Sequence, residues 1–338
     1  MVEHIRARAP MRIGFAGDGT DVDPYAFDRG GIMVSAAINK YAYCTLTPME
    51  DSKDMSVRSH YYGRYNAPLD GGPLKLNGNN DLIKAVANYF DIKKGFEAVL
   101  YSDVPAGSGV GCSSVTLLSM ITAVANWLET DMTKDEIAKL TYHLEREVIG
   151  FAGGWQDQFE SVYGGFNILR FGDHNVKVEP LDIEKDVLNE LQCRSILCYL
   201  GRPKKSADII MAQIEDYKAG RNVADLDRSK IIAEDMAKAL VNADYDKLGD
   251  LLEDEWECKK NLSGNVTNRE VDKMYKIARE AGAIGGKLTG SGGGGFIYLL
   301  CEYDLKVNVV EALKAKGAMV TDFMFDPKGV TTWRNNSV

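Results

Sequence analysis

No stretch of this sequence resembles a membrane span, which needs about 20 consecutive apolar residues. The start, MVEHIRARAPMR, is charged and has no hydrophobic core of the kind a secretory leader carries. These absences predict a cytoplasmic protein. Histidine is scarce: His4, His60, His143 and His174 share no metal-binding spacing. The six cysteines (Cys44, Cys112, Cys193, Cys198, Cys258, Cys301) form no CxxC pair, which argues against structural zinc and thioredoxin-like chemistry. Cys193 and Cys198, within CRSILCYL, read as buried, reduced thiols. Nor is there an excess of positive charge. The net charge of −9 argues against nucleic acid or an anionic membrane as partner. It leaves room for a phosphorylated substrate, which a few N–H groups and basic side chains can hold.

What the chain has is glycine in clusters. PAGSGVGCSSV, Pro105 to Val115, sets Gly107, Gly109 and Gly111 ahead of an apolar helical stretch. Such glycines let a backbone approach a ligand closely. Ser113 and Ser114 read as opening the helix, whose N-terminus would attract phosphate. No Gly-Lys-Ser/Thr follows, so this is not a Walker loop, and alone it is a weak signal that a capped glycine turn would also give.

The coarse order is strands, then helices, then strands, which predicts an α+β protein of two lobes with a boundary near 190. The expected units are 1–190 and 191–338. In the first, strands fall in 32–48, 54–76 and 96–100. Helices fall in 81–90 and 114–128, after a Thr133/Glu136 capping box, and in WQDQFESVYGG. In the second, CRSILCYLG is a strand. Helices follow at about 205–220, 227–244, 245–260 and 268–282. KLTGSGGGGFIYLLC is a glycine turn feeding a strand, DLKVNVVEALKAKGA a helix, and AMVTDFMFDP the last strand.

Three further constellations carry chemistry. RIGFAGDGTD, Arg12 to Asp21, ends a strand in a turn whose carboxylates suit sugar hydroxyls, or equally a hairpin turn with Asx chemistry. LEREVIGFAGGWQDQ places Glu145 and Asp157 on either side of a glycine loop. One could hold Mg²⁺ and the other orient an alcohol, or both could be ordinary helix charges. KLTGSGGGGF, Lys287 to Phe296, packs glycines directly against a strand, as a close backbone approach requires.

Their order resembles motifs one, two and three of the GHMP kinase superfamily, which includes galactokinase, homoserine kinase and mevalonate kinase. RIGFAGDGTD and GWQDQFESVYGG resemble its sugar-kinase branch of heptose 7-phosphate kinases and fucokinases. The whole pattern, from about residue 8 to 330, is most similar to the D-glycero-D-manno-heptose 7-phosphate kinases. The resemblance implies a two-lobed GHMP kinase fold, with a ribosomal S5 domain 2-like first lobe and a ferredoxin-like second lobe.

It also implies roles. ATP would lie on Pro105, Gly107, Ser108, Gly109, Gly111, Cys112, Ser113 and Ser114, with Mg²⁺ on Ser113 and Glu145. Asp157 would be the catalytic carboxylate and Arg12 the arginine beside the transferred group. Asp18, Gly19, Thr20 and Asp21 would hold sugar hydroxyls. Gly290, Ser291, Gly292 and Gly293 would close over phosphates and substrate. Arg202, Lys204 and Lys205, in GRPKKSADI, would take a sugar phosphate, or form a solvated basic turn. The implied reaction is in-line transfer from ATP to the C1 hydroxyl of the heptose 7-phosphate. Partners would be ATP and a small sugar phosphate, with a homodimer allowed and no nucleic acid or membrane. The chain departs from the family pattern at Cys112, often serine, and at Asp18, usually glycine. Rival readings are a GHMP kinase for another sugar such as L-fucose, and a non-catalytic sugar-binding member of the fold. Arg12, Ser113, Glu145 and Asp157 together argue against the second, since a binding module has no need of all four.

Overall fold

The computed structural model describes residues 2–60, 63–201 and 206–337. β1 (Val2–Ala16) follows from strict alternation: Ile5, Ala7, Ala9, Met11 and Ile13 are all buried. β2 (Gly31–Met49) is a single long strand paired antiparallel to β1. β3 (Asp54–Ser59) and β4 (Gly63–Pro68) form an edge hairpin. Helix α1 (Asp81–Tyr89) leads into β5 (Gly95–Ser102), which pairs with both β2 and β3. α2 (Cys112–Trp127) is apolar nearly all round because it lies inside the lobe against β1 and β2.

α3 (Lys134–Tyr142) starts with the predicted box. Glu136 N–H donates to Thr133 Oγ1, and Thr133 N–H donates back to Glu136 Oε2. A π-helical segment, His143–Val148, and a glycine loop connect it to α4 (Gln156–Tyr163). The hairpin β6 (Phe166–Gly172) and β7 (Asn175–Pro180) joins the sheet at the start of β2. This hairpin is not among the strands expected from the sequence.

α5 (Lys185–Arg194) then leads to the second sheet through β8 (Ser195–Tyr199). Three helices follow: α6 (Ser206–Lys218), α7 (Val223–Val241) and α8 (Tyr245–Leu262). α9 (Arg269–Ala281), β9 (Ala283–Leu288), β10 (Phe296–Cys301), α10 (Lys306–Lys314) and β11 (Met319–Thr321) complete the lobe. Its sheet is antiparallel in the order β11-β8-β10-β9. α8 serves both lobes. Leu248, Leu251 and Leu252 pack in the larger core, while Trp256 packs in the smaller one.

The C-terminal end differs from expectation. The strand expected in AMVTDFMFDP is only three residues long. The chain then returns to the first sheet as β12 (Thr331–Ser337), antiparallel to the first half of β1. It pairs the backbone of Val2–Arg8, an edge that would otherwise be open. The segment after 190 is therefore not wholly second lobe, and residue 190 itself lies inside α5. Cys198 is buried in β8 as expected, but Cys193 is exposed near the end of α5, and all six thiols are free. Among the described residues no helix is long and apolar enough to cross a membrane.

Candidate active site

The ends of β1, α2 and α4 converge with the glycine loop of the second lobe on one cleft of about 260 Å³. Two glycine loops meet there backbone to backbone. A Cβ on Gly290 would lie 2.5 Å from Gly109 O, and one on Gly109 would lie 2.7 Å from Thr289 O. Phe296 N–H donates to Ser108 O at 2.9 Å. Glycine stands at these contacts because a side chain has no space there.

Gly107, Ser108, Gly109, Gly111, Cys112, Ser113 and Ser114 line the cleft, and Pro105 does not. The N-cap of α2 is Gly111, without a side-chain cap. Ser113 and Ser114 therefore stand in the first turn rather than opening it. This leaves the early N–H groups of the helix free for an anion. Ser108 Oγ and Ser113 Oγ are buried without a partner. The Cys112 thiol turns inward to Ser102 Oγ at 3.4 Å, and burial raises its pKa. What Cys112 offers a ligand is backbone.

Arg12 and Asp157 form the centre. Arg12 Nε donates to Asp157 Oδ1 at 2.7 Å, Nη2 pairs with the same oxygen, and Nη1 donates to Gly109 O at 2.9 Å. Ser114 Oγ donates to Asp157 Oδ2 at 3.3 Å. Asp157 lies in the first turn of α4, where the helix dipole favours a carboxylate. Glu145 is no solvated helix charge. It is buried on the cleft wall, accepts from Gln158 Nε2 at 3.0 Å, and has Arg146 Nη2 at 3.4 Å.

Motif one divides. Asp21 and Gly19 line the cleft. Asp21 Oδ2 accepts from the Gln156 N–H, while burial, with the charge of Asp157 adding to it, pushes its pKa up to about 6. Thr20 does not reach the cleft. Its hydroxyl is buried, bonded to Gly17 O and Ile32 O and accepting from Ile32 N–H, so it latches the turn rather than meeting a sugar. Asp18 touches the cleft but is engaged elsewhere, 3.1 Å from Lys259 Nζ and 2.5 Å from Lys287 Nζ. Burial works against its ionisation, yet the two lysines outweigh it and hold the carboxyl below the usual range. In motif three Gly290 and Ser291 line the cleft. Gly292 and Gly293 sit behind it against Val266, with Gly293 N–H donating to Val266 O at 2.7 Å. Arg202, Lys204 and Lys205 lie outside the described residues.

Sequence reasoning missed four groups. Gln156 Nε2 is buried and unpartnered on the cleft wall. Gln213 donates to Gly19 O, Arg146 to Ser114 Oγ, and Lys259 to Leu288 O and Gly290 O. Lys287 at least headed the motif-three string. Lys259, inside an amphipathic helix, carried no local signal.

Comparison with known proteins places the chain in a family. The family models for the GHMP kinases N terminal domain and the GHMP kinases C terminal match residues 80–165 and 236–318. The D-glycero-alpha-D-manno-heptose 7-phosphate kinase of Campylobacter jejuni is 36% identical over 98% of this chain and 99% of its own length. The bifunctional fucokinase/GDP-fucose pyrophosphorylase of Arabidopsis thaliana is 24% identical over 88% of this chain and 30% of its own length. The crystal structure of a D-glycero-D-manno-heptose 1-phosphate kinase from Bacteroides thetaiotaomicron superposes with a TM-score of 0.83 at 29% identity, covering 98% of this chain and 100% of that one. Alike in sequence along nearly its whole length and in both lobes of its fold, this chain belongs to the GHMP kinases.

Proposed function

We propose that this protein is an ATP-dependent sugar kinase that phosphorylates the C1 hydroxyl of D-glycero-D-manno-heptose 7-phosphate, giving the 1,7-bisphosphate and ADP. The observation that carries the reading is the 36% identity, end to end, with the Campylobacter heptose 7-phosphate kinase. The cleft supports the chemistry.

ATP would lay its phosphates on the free N–H groups of the Gly107–Ser114 wall. The residues present fit Mg²⁺. Ser113 offers a buried hydroxyl with no other partner, and Glu145 a buried carboxylate, on one wall of the cleft. Both are hard oxygen donors, and Mg²⁺ is commonly held by one or two protein groups plus substrate phosphates. When bound, the ion supplies neutralising charge to the phosphate oxygens.

Asp157 orients the acceptor hydroxyl and takes its proton. Arg12 fixes that carboxylate from one side and presents positive charge to the group in flight. A loose transition state asks little of the base, so positioning carries most of the effect. Asp21 accepts from a sugar hydroxyl, and the free Nε2 of Gln156 donates to another. In sequence, Arg202, Lys204 and Lys205 fall within the four residues before Ser206 and Ala207, which line the cleft at the start of α6, a place suited to the 7-phosphate. The need for ATP, with six free thiols, fits a cytoplasmic setting.

The test is ADP release from MgATP with three acceptors: D-glycero-D-manno-heptose 7-phosphate, the unphosphorylated heptose and L-fucose. Turnover with the phosphorylated sugar alone is the expected result. Turnover with a free sugar would replace the substrate, and none with any would favour a binding role.

A further inference from the structure

Among the described residues three basic side chains line the cleft: Arg12, Arg146 and Lys259. Two are committed. Arg12 holds Asp157 and the Gly109 carbonyl. Lys259 holds Asp18 and the carbonyls of Leu288 and Gly290.

Arg146 is held loosely. It follows Glu145 in the π-helical segment and folds across Gly153, where a Cβ would fall 2.3 Å from Arg146 Cζ. Its contacts are long: Nη2 to Ser114 Oγ at 3.3 Å and to Glu145 Oε2 at 3.4 Å. Its Nε is buried with no partner at all. A guanidinium has five N–H donors in a planar fork, and a buried donor left unpaired costs free energy until an acceptor arrives. The nearby Ser108 and Ser113 hydroxyls share that condition. Together they describe a wall waiting for a ligand with several anionic oxygens, which is the chemistry of a phosphate.

The position narrows the choice of phosphate. Ser114 Oγ is 3.3 Å from Arg146 Nη2 and also 3.3 Å from Asp157 Oδ2. Arg146 thus stands one hydroxyl away from the carboxylate that receives the acceptor. We infer that Arg146 is a second catalytic arginine, which grips the terminal phosphate of ATP opposite Arg12. The inference rests on the kinase reading but not on the identity of the sugar.

The experiment measures nucleotide affinity without any sugar. The β,γ-imido analogue of ATP and ADP are titrated calorimetrically, with Mg²⁺, into wild type, R146K, R146M and G153A. Wild type is expected to favour the triphosphate. R146M should lose at least about 10-fold of that preference with ADP binding nearly unchanged, and R146K should keep part of it. G153A retains every polar group but crowds the guanidinium, and should show the same loss. With an accepted sugar, turnover of R146M should fall about 10²-fold or more, and added guanidinium ion should restore part of it. If R146M does not fold, R146K and G153A carry the test. An unchanged preference for the triphosphate in the folded variants would overturn the inference and leave Arg146 as a brace for Glu145. Failure of the heptose 7-phosphate proposal would appear only in the acceptor assay, leaving these titrations as they are.

Discussion

Two clusters of charge border the same cleft and follow opposite rules. In the first, Asp18 lies between Lys259 and Lys287, its N–H donates to Glu255 at 2.8 Å, and Ser229 Oγ donates to Glu255 as well. Lys287 also donates to Gly14 O. The groups satisfy one another and hold motif one, α8 and motif three in register. In the second, Arg12, Asp157, Ser114, Arg146 and Glu145 form a chain that is not self-satisfied: Arg146 Nε is buried without a partner, and so is the hydroxyl of Ser113 on the same cleft wall. Buried charge alone therefore does not mark the chemistry. The first cluster is closed and shapes the cleft, whereas the second has bonding capacity left over, directed where a ligand enters.

Breaking the closed cluster should cost stability most. Lys287 is fully buried and does not line the cleft. K287M leaves Asp18 with one lysine, and we expect a loss of roughly 3–5 kcal/mol by chemical denaturation. Turnover of the folded fraction at low temperature should stay within a few-fold. Unchanged stability would mean that the cluster does not hold the loops together.

Breaking the open cluster should cost rate instead. D157N keeps the shape and removes the charge. Turnover should fall at least about 10²-fold, near 2.7 kcal/mol, while sugar affinity is retained. Near-normal turnover would take Asp157 out of the reaction. The comparison sharpens at Ser113. Because its hydroxyl has no partner in the protein, S113A should leave the melting temperature unchanged or slightly higher. The Mg²⁺ concentration for half-maximal turnover should nevertheless rise about 10-fold. A destabilised S113A with normal Mg²⁺ dependence would reverse that assignment.

The open cluster was largely legible in the sequence, and the closed one was not. Glycine loops are visible because a missing side chain repeats as a string, and Arg12, Ser113, Glu145 and Asp157 sit in or beside those strings. Lys259 and Glu255 lie in the C-terminal half of α8, spaced four apart like any helix pair, and only tertiary packing brings them to Asp18. The family resemblance offers Thr20 to a sugar, but a motif string does not say which way a hydroxyl turns, and this one bonds across the turn to Ile32. β12 is missing from the sequence reading because TTWRNNS is polar and lies at a sheet edge, where burial imposes no alternation.

The pH dependence of stability tests whether the closed cluster is fully ionised. Burial, with the charge of Asp18 adding to it, pushes Glu255 up to about 8 from an ordinary value of 4.5. A raised carboxyl holds its proton in the folded state while the unfolded chain releases it. Stability from Glu255 is therefore complete below about pH 4.5 and declines as pH climbs toward 8. Glu160, raised to about 7, and Asp21, raised to about 6, slope the same way. Lys259, lowered to about 8 chiefly by burial, slopes oppositely but only above that pH, so pH 5 to 8 isolates the carboxyls. Gln mimics the protonated carboxyl. E255Q should track wild type near pH 5 and exceed it by a widening margin as pH rises to 8 in denaturant titrations. Parallel curves across that window would mean that Glu255 is ionised in the fold, with the Asp18 N–H and the Ser229 hydroxyl holding a carboxylate.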